Sequence, residues 1–389
     1  MIGIYPDICS FERKFSDEDR LIQETTRKFV ATEIRPTIAQ HFEQQTFPLD
    51  AVKKMGSLGL LGAMLPEEYG GSNATALQYG LICRELERGD SGIRSFCSVQ
   101  SSLVMYPIWK FGSEAQKKKW LPKLAAGEAI GCFGLTEPDF GSNPSGMRTK
   151  AKINGSEIVL NGTKRWITNA DIADICLIWA KDEEGVVAAY LVEANTPGLS
   201  QVEMKHKLSL CASHTGELIF EDCRIPLENQ LPAALGLRCA LSALDSARFG
   251  IIWGVLGAAE DCYQTALDYA QSRVQFSKPI AAYQLVQAKL VAMLNEITKA
   301  QLLASEISKL RDENLSSFEQ TSIGKMNNVR IALDVARSAR DVLGANGITT
   351  EYSIMRHMMN LESVVTYEGT EDIHRLILGK SITGLAAFD

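Results

Sequence analysis

The hydrophobic period of this chain changes twice. Up to about residue 128 apolar residues recur at helical spacing, from Ala129 to about residue 228 they come in short β-branched and aromatic runs, and then the helical spacing returns and persists almost to the end. In the first part, Ser16 with Asp19 and Ser113 with Gln116 form capping-box patterns that open helices. Leu21, Ile22, Phe29, Val30 and Ile34 follow the first cap, and Leu77, Leu81, Ile82 and Leu86 make a further amphipathic stripe. In the middle, AIGCFGLT, IVLNGTKRWIT, ICLIWA and VVAAYLVE read as strands separated by Asn-Gly, Asp-Glu-Glu-Gly and Pro-Gly turns. After Pro232 the pattern predicts helices over about 236–273, over a stripe from Leu285 to Leu310, and over about 316–343, with only Pro279 marking a break. The expected fold is therefore α+β and mainly helical: an N-terminal helical domain (1–128), a β domain (129–228) and a C-terminal helical domain (229–389). Neither helical part has a reason to stand alone, so the two should pack together across the inserted sheet. A crevice where helices meet sheet is a favoured place for a cofactor.

Composition narrows the function. A net charge of -7 argues against binding a nucleic-acid backbone, which rewards clustered Lys and Arg. The cysteines are scattered with no CxxC pair, as suits a reducing compartment, and neither a disulfide framework nor a zinc ribbon is suggested. The amino-terminal stretch MIGIYPDICSFERKF lacks a secretory or transit pattern, and no uninterrupted apolar run reaches the roughly 18 residues of a membrane span. A cytoplasmic protein is expected, or one of the mitochondrial matrix if a leader has been removed. GxGxxG after a strand, GxxxxGK[ST], HExxH and GxSxG are all missing, and the histidines have no metal-ligand spacing, so no metal site is expected.

Four segments remain as candidates. Leu135-Thr136-Glu137-Pro138-Asp139-Phe140-Gly141-Ser142 and Trp166-Ile167-Thr168-Asn169 are polar or glycine-containing stretches beside strand ends, where backbone N–H groups, hydroxyls and an indole could meet a flat ligand. Taken alone, ordinary turns with a core Trp explain them better. Tyr367-Glu368-Gly369-Thr370 places a carboxylate before a glycine and a helix N-cap; an isolated Glu is usually solvated, but one buried among apolar groups would be a base toward a weak carbon acid. Arg94 reads first as a surface Arg or a helix-end partner, and Arg273 equally as a phosphate ligand through its fork of donors or as a cap on its own helix.

The set LTEPDFGS, NGTKRWITN, SRVQFSKPI, LGANG and TYEGTEDIH, in this order, resembles the acyl-CoA dehydrogenase family over essentially the whole chain. Each piece is weak and the combination is specific. ELERGDSGIRSFCSVQSSLVMYPI and the ending MNLESVVTYEGTEDIHRLILGKSITGLAAF resemble the glutaryl-type members. The resemblance implies FAD as cofactor, a homotetramer, an acyl-CoA substrate and electron-transfer flavoprotein as partner. It implies Glu368 as the catalytic base that removes the α-proton of the thioester. It places the flavin against Phe133, Leu135, Thr136, Gly141 and Ser142 on one side and Trp166, Ile167 and Thr168 on the other. It assigns Arg273, Phe276, Gln284, Asp341, Gly344 and Ala345 to the adenine-dinucleotide end, from a neighbouring subunit, and Thr370 and Asp372 to the same cofactor. Ser142, Asp245 and Arg248 would face the CoA arm, with Gly369 beside the thioester.

By the same resemblance, Glu87, Arg94, Ser95 and Ser98 match the pattern in which the Arg holds a distal carboxylate, a group too costly to bury unpaired. Tyr367 and Glu87 match the kind that goes on to decarboxylate, giving crotonyl-CoA from glutaryl-CoA. Cys211 stands where the family usually has Arg, and Asn143 where its GSD motif has Asp; Phe96 and Cys97 are also unusual in the slot-lining stretch. Two alternatives stay open: a short- or branched-chain dehydrogenase in which Arg94 is structural, and a catalytically silent flavin protein of the same fold, against which Glu368 argues.

Overall fold

The computed structural model describes residues 6–387. The outermost residues of both helical domains, including the start of the amino-terminal stretch read for a leader, lie outside the described residues.

The first layer is helical: α1 (Asp17–Phe29), α2 (Ile38–Gln44), α3 (Asp50–Ser57), α4 (Ala76–Gly89), α5 (Ser91–Ser98), α6 (Tyr106–Phe111) and α7 (Glu114–Ala125). Both predicted capping boxes form, Ser16 accepting from the Asp19 amide and Ser113 from that of Gln116. A π-helical stretch, Val99–Met105, joins α5 to α6 and turns Gln100 toward the sheet. The buried Gln100 amide donates to the Leu124 and Ala129 carbonyls at 3.0 and 2.8 Å and accepts from the Gly131 amide at 2.9 Å, so it welds this layer to the first strand.

The sheet contains β1 (Gly131–Gly134), β2 (Lys150–Asn154), β3 (Glu157–Thr168), β4 (Ile175–Lys181), β5 (Val187–Glu193), β6 (Leu199–Glu203), β7 (Thr215–Pro226) and β8 (Gln230–Leu235). Its order is β6-β7-β3-β2-β4-β5-β8, with β1 added parallel to β4. The sheet therefore runs past the expected boundary at 228, to Leu235, while the helix begins at Leu237, close to the expected 236. Pro232 explains the difference: a proline argues against a central strand, but β8 pairs only with β5 and lies on the sheet edge, where a missing N–H costs nothing.

The C-terminal layer holds α8 (Leu237–Ser272), a two-stranded ribbon of β9 (Val274–Gln275) and β10 (Lys278–Pro279), α9 (Gln284–Asp312), α10 (Phe318–Val342), α11 (Ser353–Thr366) and α12 (Glu371–Thr383). By length and hydropathy α8 could cross a membrane, which counting only uninterrupted apolar runs passed over. Most of that stretch is instead buried against α4 and α10. The two helical layers do pack together, and α4 is buried on nearly every side. Close approach of α4 and α8 needs glycines: a Cβ on Gly80 would sit 2.5–2.7 Å from the Trp253 indole, and one on Gly257 would collide with the Arg84 carbonyl.

Arg84, Glu85 and Glu260, buried in this contact, are paired. Arg84 Nε lies 2.9 Å from Glu260, and Glu85 is held by Arg88 at 3.0 Å and Arg27 at 2.9 Å. Burial alone would raise the Glu85 carboxyl, but Arg88, Arg27 and Arg84 overcome it and bring its pKa down to about 2. Two residues of the expected apolar stripes, Leu21 and Leu285, are exposed instead.

Candidate active site

Tyr367 ends α11 in extended conformation, and the next two residues reverse the chain through the left-handed region: Glu368 at φ 52° and Gly369 at φ 94°. Gly369 suits the turn, and a Cβ there would also approach Arg248 Nη2 and His374 Nε2 to 3.1 Å. Glu368 has a side chain and no such licence, so its conformation costs about 1–3 kcal/mol and has to be imposed by its surroundings. Thr370 then caps α12, its hydroxyl accepting from the Ile373 amide at 3.2 Å.

Three successive carbonyls of this turn accept from buried cations. Lys325 Nζ donates to Tyr367 O at 2.8 Å and to Gly369 O at 2.7 Å, and Arg248 Nε donates to Glu368 O at 2.6 Å. The carboxylate itself is left free: among the described residues nothing donates to it, and Oε2 is buried without a partner, although the residue as a whole is partly exposed. Burial raises the Glu368 pKa, and the charges of Arg94, Arg248 and Lys325 oppose that rise. Burial also carries Lys325 down to about 7 against the pull of Glu368, and brings His374 to about 3 with Lys325 and Arg248 adding to the effect. A raised carboxyl in a partly closed pocket has the character of a general base.

Arg94 lies on α5 and not beyond a helix, and it is fully buried. Its Nε donates to Glu87 Oε2 at 2.6 Å, its Nη2 donates to the Tyr367 hydroxyl, and its Nη1 is buried with no partner among the described residues. Glu87 also accepts from the Ser91 hydroxyl at 2.8 Å. The pair fits because Gly254 of α8 faces it; a Cβ there would strike Glu87 Oε2 and come within 3.0 Å of Arg94 Cδ and Nε. Ser95 and Ser98 are buried on the same helix, and the Ser98 hydroxyl has no partner. Arg248 is buried beside the turn, whereas Asp245 pairs with Arg311 at 3.1 Å and keeps one unpartnered oxygen.

The sheet docks beside this turn. Leu210 N donates to Asn360 Oδ1 of α11 at 2.8 Å, and the Ala212 carbonyl would block a side chain at Gly92 of α5. Phe133, Leu135 and Ile167 are buried in the sheet, while Thr136 and Thr168 are half-buried and Gly141 and Ser142 are exposed. The turn after β1 is pinned by Glu137, which accepts from the Arg148 and Thr149 amides at 2.6 and 2.9 Å and from the fully buried Lys164 at 2.8 Å. Lys164 also donates to Leu135 O at 3.1 Å. A bulge between Lys164 and Ile167 puts Trp166 at φ 62° and leaves its indole 59% exposed, so it is no core Trp.

Residues 16–128 match the acyl-CoA dehydrogenase N-terminal domain family, 132–223 its middle domain and 235–383 its C-terminal domain. The human mitochondrial short-chain specific acyl-CoA dehydrogenase is 36% identical over 364 residues, 92% of this chain and 88% of that protein. This chain belongs to the acyl-CoA dehydrogenase family. Two solved structures of glutaryl-CoA dehydrogenase from Mycobacterium smegmatis superpose on nearly all of it. One has TM-score 0.97 and 49% identity, covering 99% of this chain and 100% of its own. The other, in complex with FADH2, has TM-score 0.96 and 50% identity, with full coverage of both chains. The protein is an FAD-dependent acyl-CoA dehydrogenase. Its residues fit the flavin: an exposed indole, the Thr136 and Thr168 hydroxyls with no internal partner among the described residues, open space at Gly141, and the unpartnered Glu368 oxygen.

The remaining positions expected at the dinucleotide lie apart from this turn. Arg273, Phe276, Gln284, Asp341, Gly344 and Ala345 are exposed at one end of the C-terminal bundle, tied together by the Lys289–Asp341 ion pair and by Asn346 donating to the Tyr269 hydroxyl at 3.0 Å. Asp372 is exposed and pairs with Arg375 at 2.7 Å. Of the departures from the family, Cys211 is buried and donates to Lys207 O at 3.2 Å, while Lys207 bonds Leu210 O, Ser213 O and Thr215 Oγ1 and so holds this loop without the usual Arg. Asn143 accepts from the Ser145 hydroxyl. Asp171, Glu203 and His214 bring ligand atoms within 4.8 Å of one another, but His214 and Asp171 already satisfy each other at 2.6 Å. Sequence reasoning missed Lys325, Gly254 and His374, whose roles depend on burial that no local pattern signals.

Proposed function

We propose that this dehydrogenase oxidises glutaryl-CoA and decarboxylates the product to crotonyl-CoA. The observation that carries the reading is the buried Arg94 guanidinium, which keeps Nη1 without a partner beside the turn that bears Glu368. An orphaned charged donor is expensive, and the far carboxylate of a five-carbon diacid thioester would satisfy it where a plain acyl chain would not. Glu368 takes the α-proton; a bound FAD supplies the acceptor for the hydride that leaves the β-carbon. In the oxidised product the far carboxylate is placed to leave as carbon dioxide, the electrons of that bond passing into the conjugated thioester before reprotonation. Tyr367 and Glu87, both hydrogen-bonded to Arg94, support this reading.

A second reading, a short-chain dehydrogenase without decarboxylation, is favoured by one feature: Glu87 already neutralises Arg94 at 2.6 Å. Arg94→Ala separates the two. The dicarboxylate reading expects kcat/KM for glutaryl-CoA to fall by about 100-fold or more, the cost of an unmatched buried charge, with butyryl-CoA losing about tenfold at most. Equal losses on both substrates refute it. Mass analysis of the glutaryl-CoA product tests the second step, and accumulating glutaconyl-CoA would exclude it. Electron-transfer flavoprotein as acceptor is supported by family membership alone. Assembly into a tetramer is supported also by large apolar side chains left exposed in the C-terminal domain, Phe276 at 90%, Leu285 at 80% and Ile348 at 62%.

A further inference from the structure

Lys325 of α10 is 1% exposed, and it does not touch the carboxylate it lies beside. We propose that Lys325 is a positioning residue, an ammonium clamp that grips the carbonyls on either side of Glu368 and holds the left-handed turn in the one shape that presents the base to the thioester. This rests on Glu368 being the base.

The Tyr367 carbonyl lies at the C-cap of α11, where a helix leaves its C=O groups unsatisfied and its dipole favours a cation, and the Gly369 carbonyl lies just before the Thr370 N-cap of α12. One ammonium reaches both, at 2.8 and 2.7 Å, and bridges across the residue whose φ of 52° the backbone would not choose. Arg248 holds the carbonyl between them. With all three carbonyls drawn toward cations, the Glu368 side chain has no internal hydrogen bond to compete with substrate.

Either charge state of Lys325 keeps two N–H donors, so the clamp survives titration while the charge does not. The charge also acts on Glu368 through space, alongside Arg94 of α5 and Arg248 of α8, with Glu87 of α4, Tyr367, and Glu371 and His374 of α12 as the other polar groups around the turn. Removing one cation lets burial raise the base further, so the acid limb of the pH profile should move to higher pH.

The test compares Lys325→Met with the wild-type holoenzyme, per bound flavin, on glutaryl-CoA and on butyryl-CoA. A base misplaced by roughly 1 Å should lower kcat by about 100-fold with KM little changed. The kinetic isotope effect from α-deuterated substrate should rise, because proton removal becomes limiting, and the acid limb of kcat/KM should shift upward. A residue that merely stabilises the fold would lower the flavin-loaded fraction and leave all three readouts at wild-type values, which overturns the proposal. Should Lys325→Met retain no flavin, Lys325→Gln and Lys325→Arg keep donors on a shorter and a bulkier stem. Lys325→Gln shortens the stem and removes the charge, so a wild-type isotope effect and acid limb in it would overturn the clamp equally, whereas Lys325→Arg, which keeps donors and charge, should recover both. Glu368→Gln in parallel keeps the failures distinct: if it still turns over, the assignment of the base falls, whereas an inactive Glu368→Gln beside a normal Lys325→Met removes only the clamp.

Discussion

Gly254→Ala places one methyl group against the buried ion pair, and opposing effects decide its sign. Alanine in a helix interior is favoured over glycine by about 1 kcal/mol, and α8 is a long, regular helix. The new Cβ, however, would overlap Glu87 Oε2 and lie 3.0 Å from Arg94 Cδ and Nε. Neither neighbour can swing aside, because both side chains are fully buried: Glu87 is tied to Ser91 and Arg94, and Arg94 to Glu87 and Tyr367. Overpacking of this kind costs about 1–3 kcal/mol. Displacing the carboxylate also breaks the 2.6 Å bond to Arg94 Nε, a charged hydrogen bond worth about 1.5–3 kcal/mol. The steric and polar losses exceed the helical gain, leaving the protein less stable by about 2–5 kcal/mol. Urea unfolding of the holoenzyme measures this directly. The same displacement turns Arg94, so kcat/KM for glutaryl-CoA should fall more than that for butyryl-CoA. A variant as stable as wild type, with an unchanged ratio of the two substrates, would refute the claim that this pocket is rigid.

Acid should weaken the contact between the helical layers. Glu85 has its pKa lowered to about 2 in the folded protein, so its stabilisation is fully present above the unfolded carboxyl value and is lost as pH falls through the folded one. The contribution is about 3 kcal/mol, and Glu85→Gln should flatten the acid side of a stability-versus-pH curve between about pH 5 and 2; an unaltered slope there would show that other carboxylates dominate. In the sheet, Lys164→Met strands Glu137 without its buried cation, which should cost about 3–5 kcal/mol and loosen the turn carrying Leu135 and Thr136. FAD dissociation followed by fluorescence should therefore speed up, and an unchanged off-rate would separate that turn from the cofactor.

What could be read beforehand and what could not divide along a physical line. Periodicity and capping act over a few residues, so the long helices, the caps at Ser16, Ser113 and Thr370 and the four most apolar strands were visible. Three of the four sheet strands left unassigned have sequences that look wrong in isolation; the fourth, Thr215–Pro226, does not. Lys150–Asn154 and Leu199–Glu203 are polar because one or both faces meet water, and Gln230–Leu235 carries a proline that only an edge position allows. Arg94 reads as a helix-end residue because nothing in SGIRSF says that Gly254, from a helix over 150 positions away, leaves room to bury it. Lys325 lies in SIGKMNNVR, a stretch that would suit any solvated helix face until α12 folds over it. Motif order gave the candidate base; the charges that tune it come from three separate elements, α5, α8 and α10.

Those charges are arranged so that none of them disables the base. A carboxylate buried alone would stay protonated at neutral pH, and one in direct contact with a guanidinium would be too weak to remove a proton from carbon. Here each cation is tied to something else: Arg94 to Glu87 and Tyr367, Arg248 to the Glu368 carbonyl, and Lys325 to the carbonyls before and after it. Their fields offset burial while none of them bonds the carboxylate, so it is held ionisable and unbonded. The hydrogen bonds that fix the turn are thus spent on its backbone, and the proton-accepting oxygens are left for the substrate.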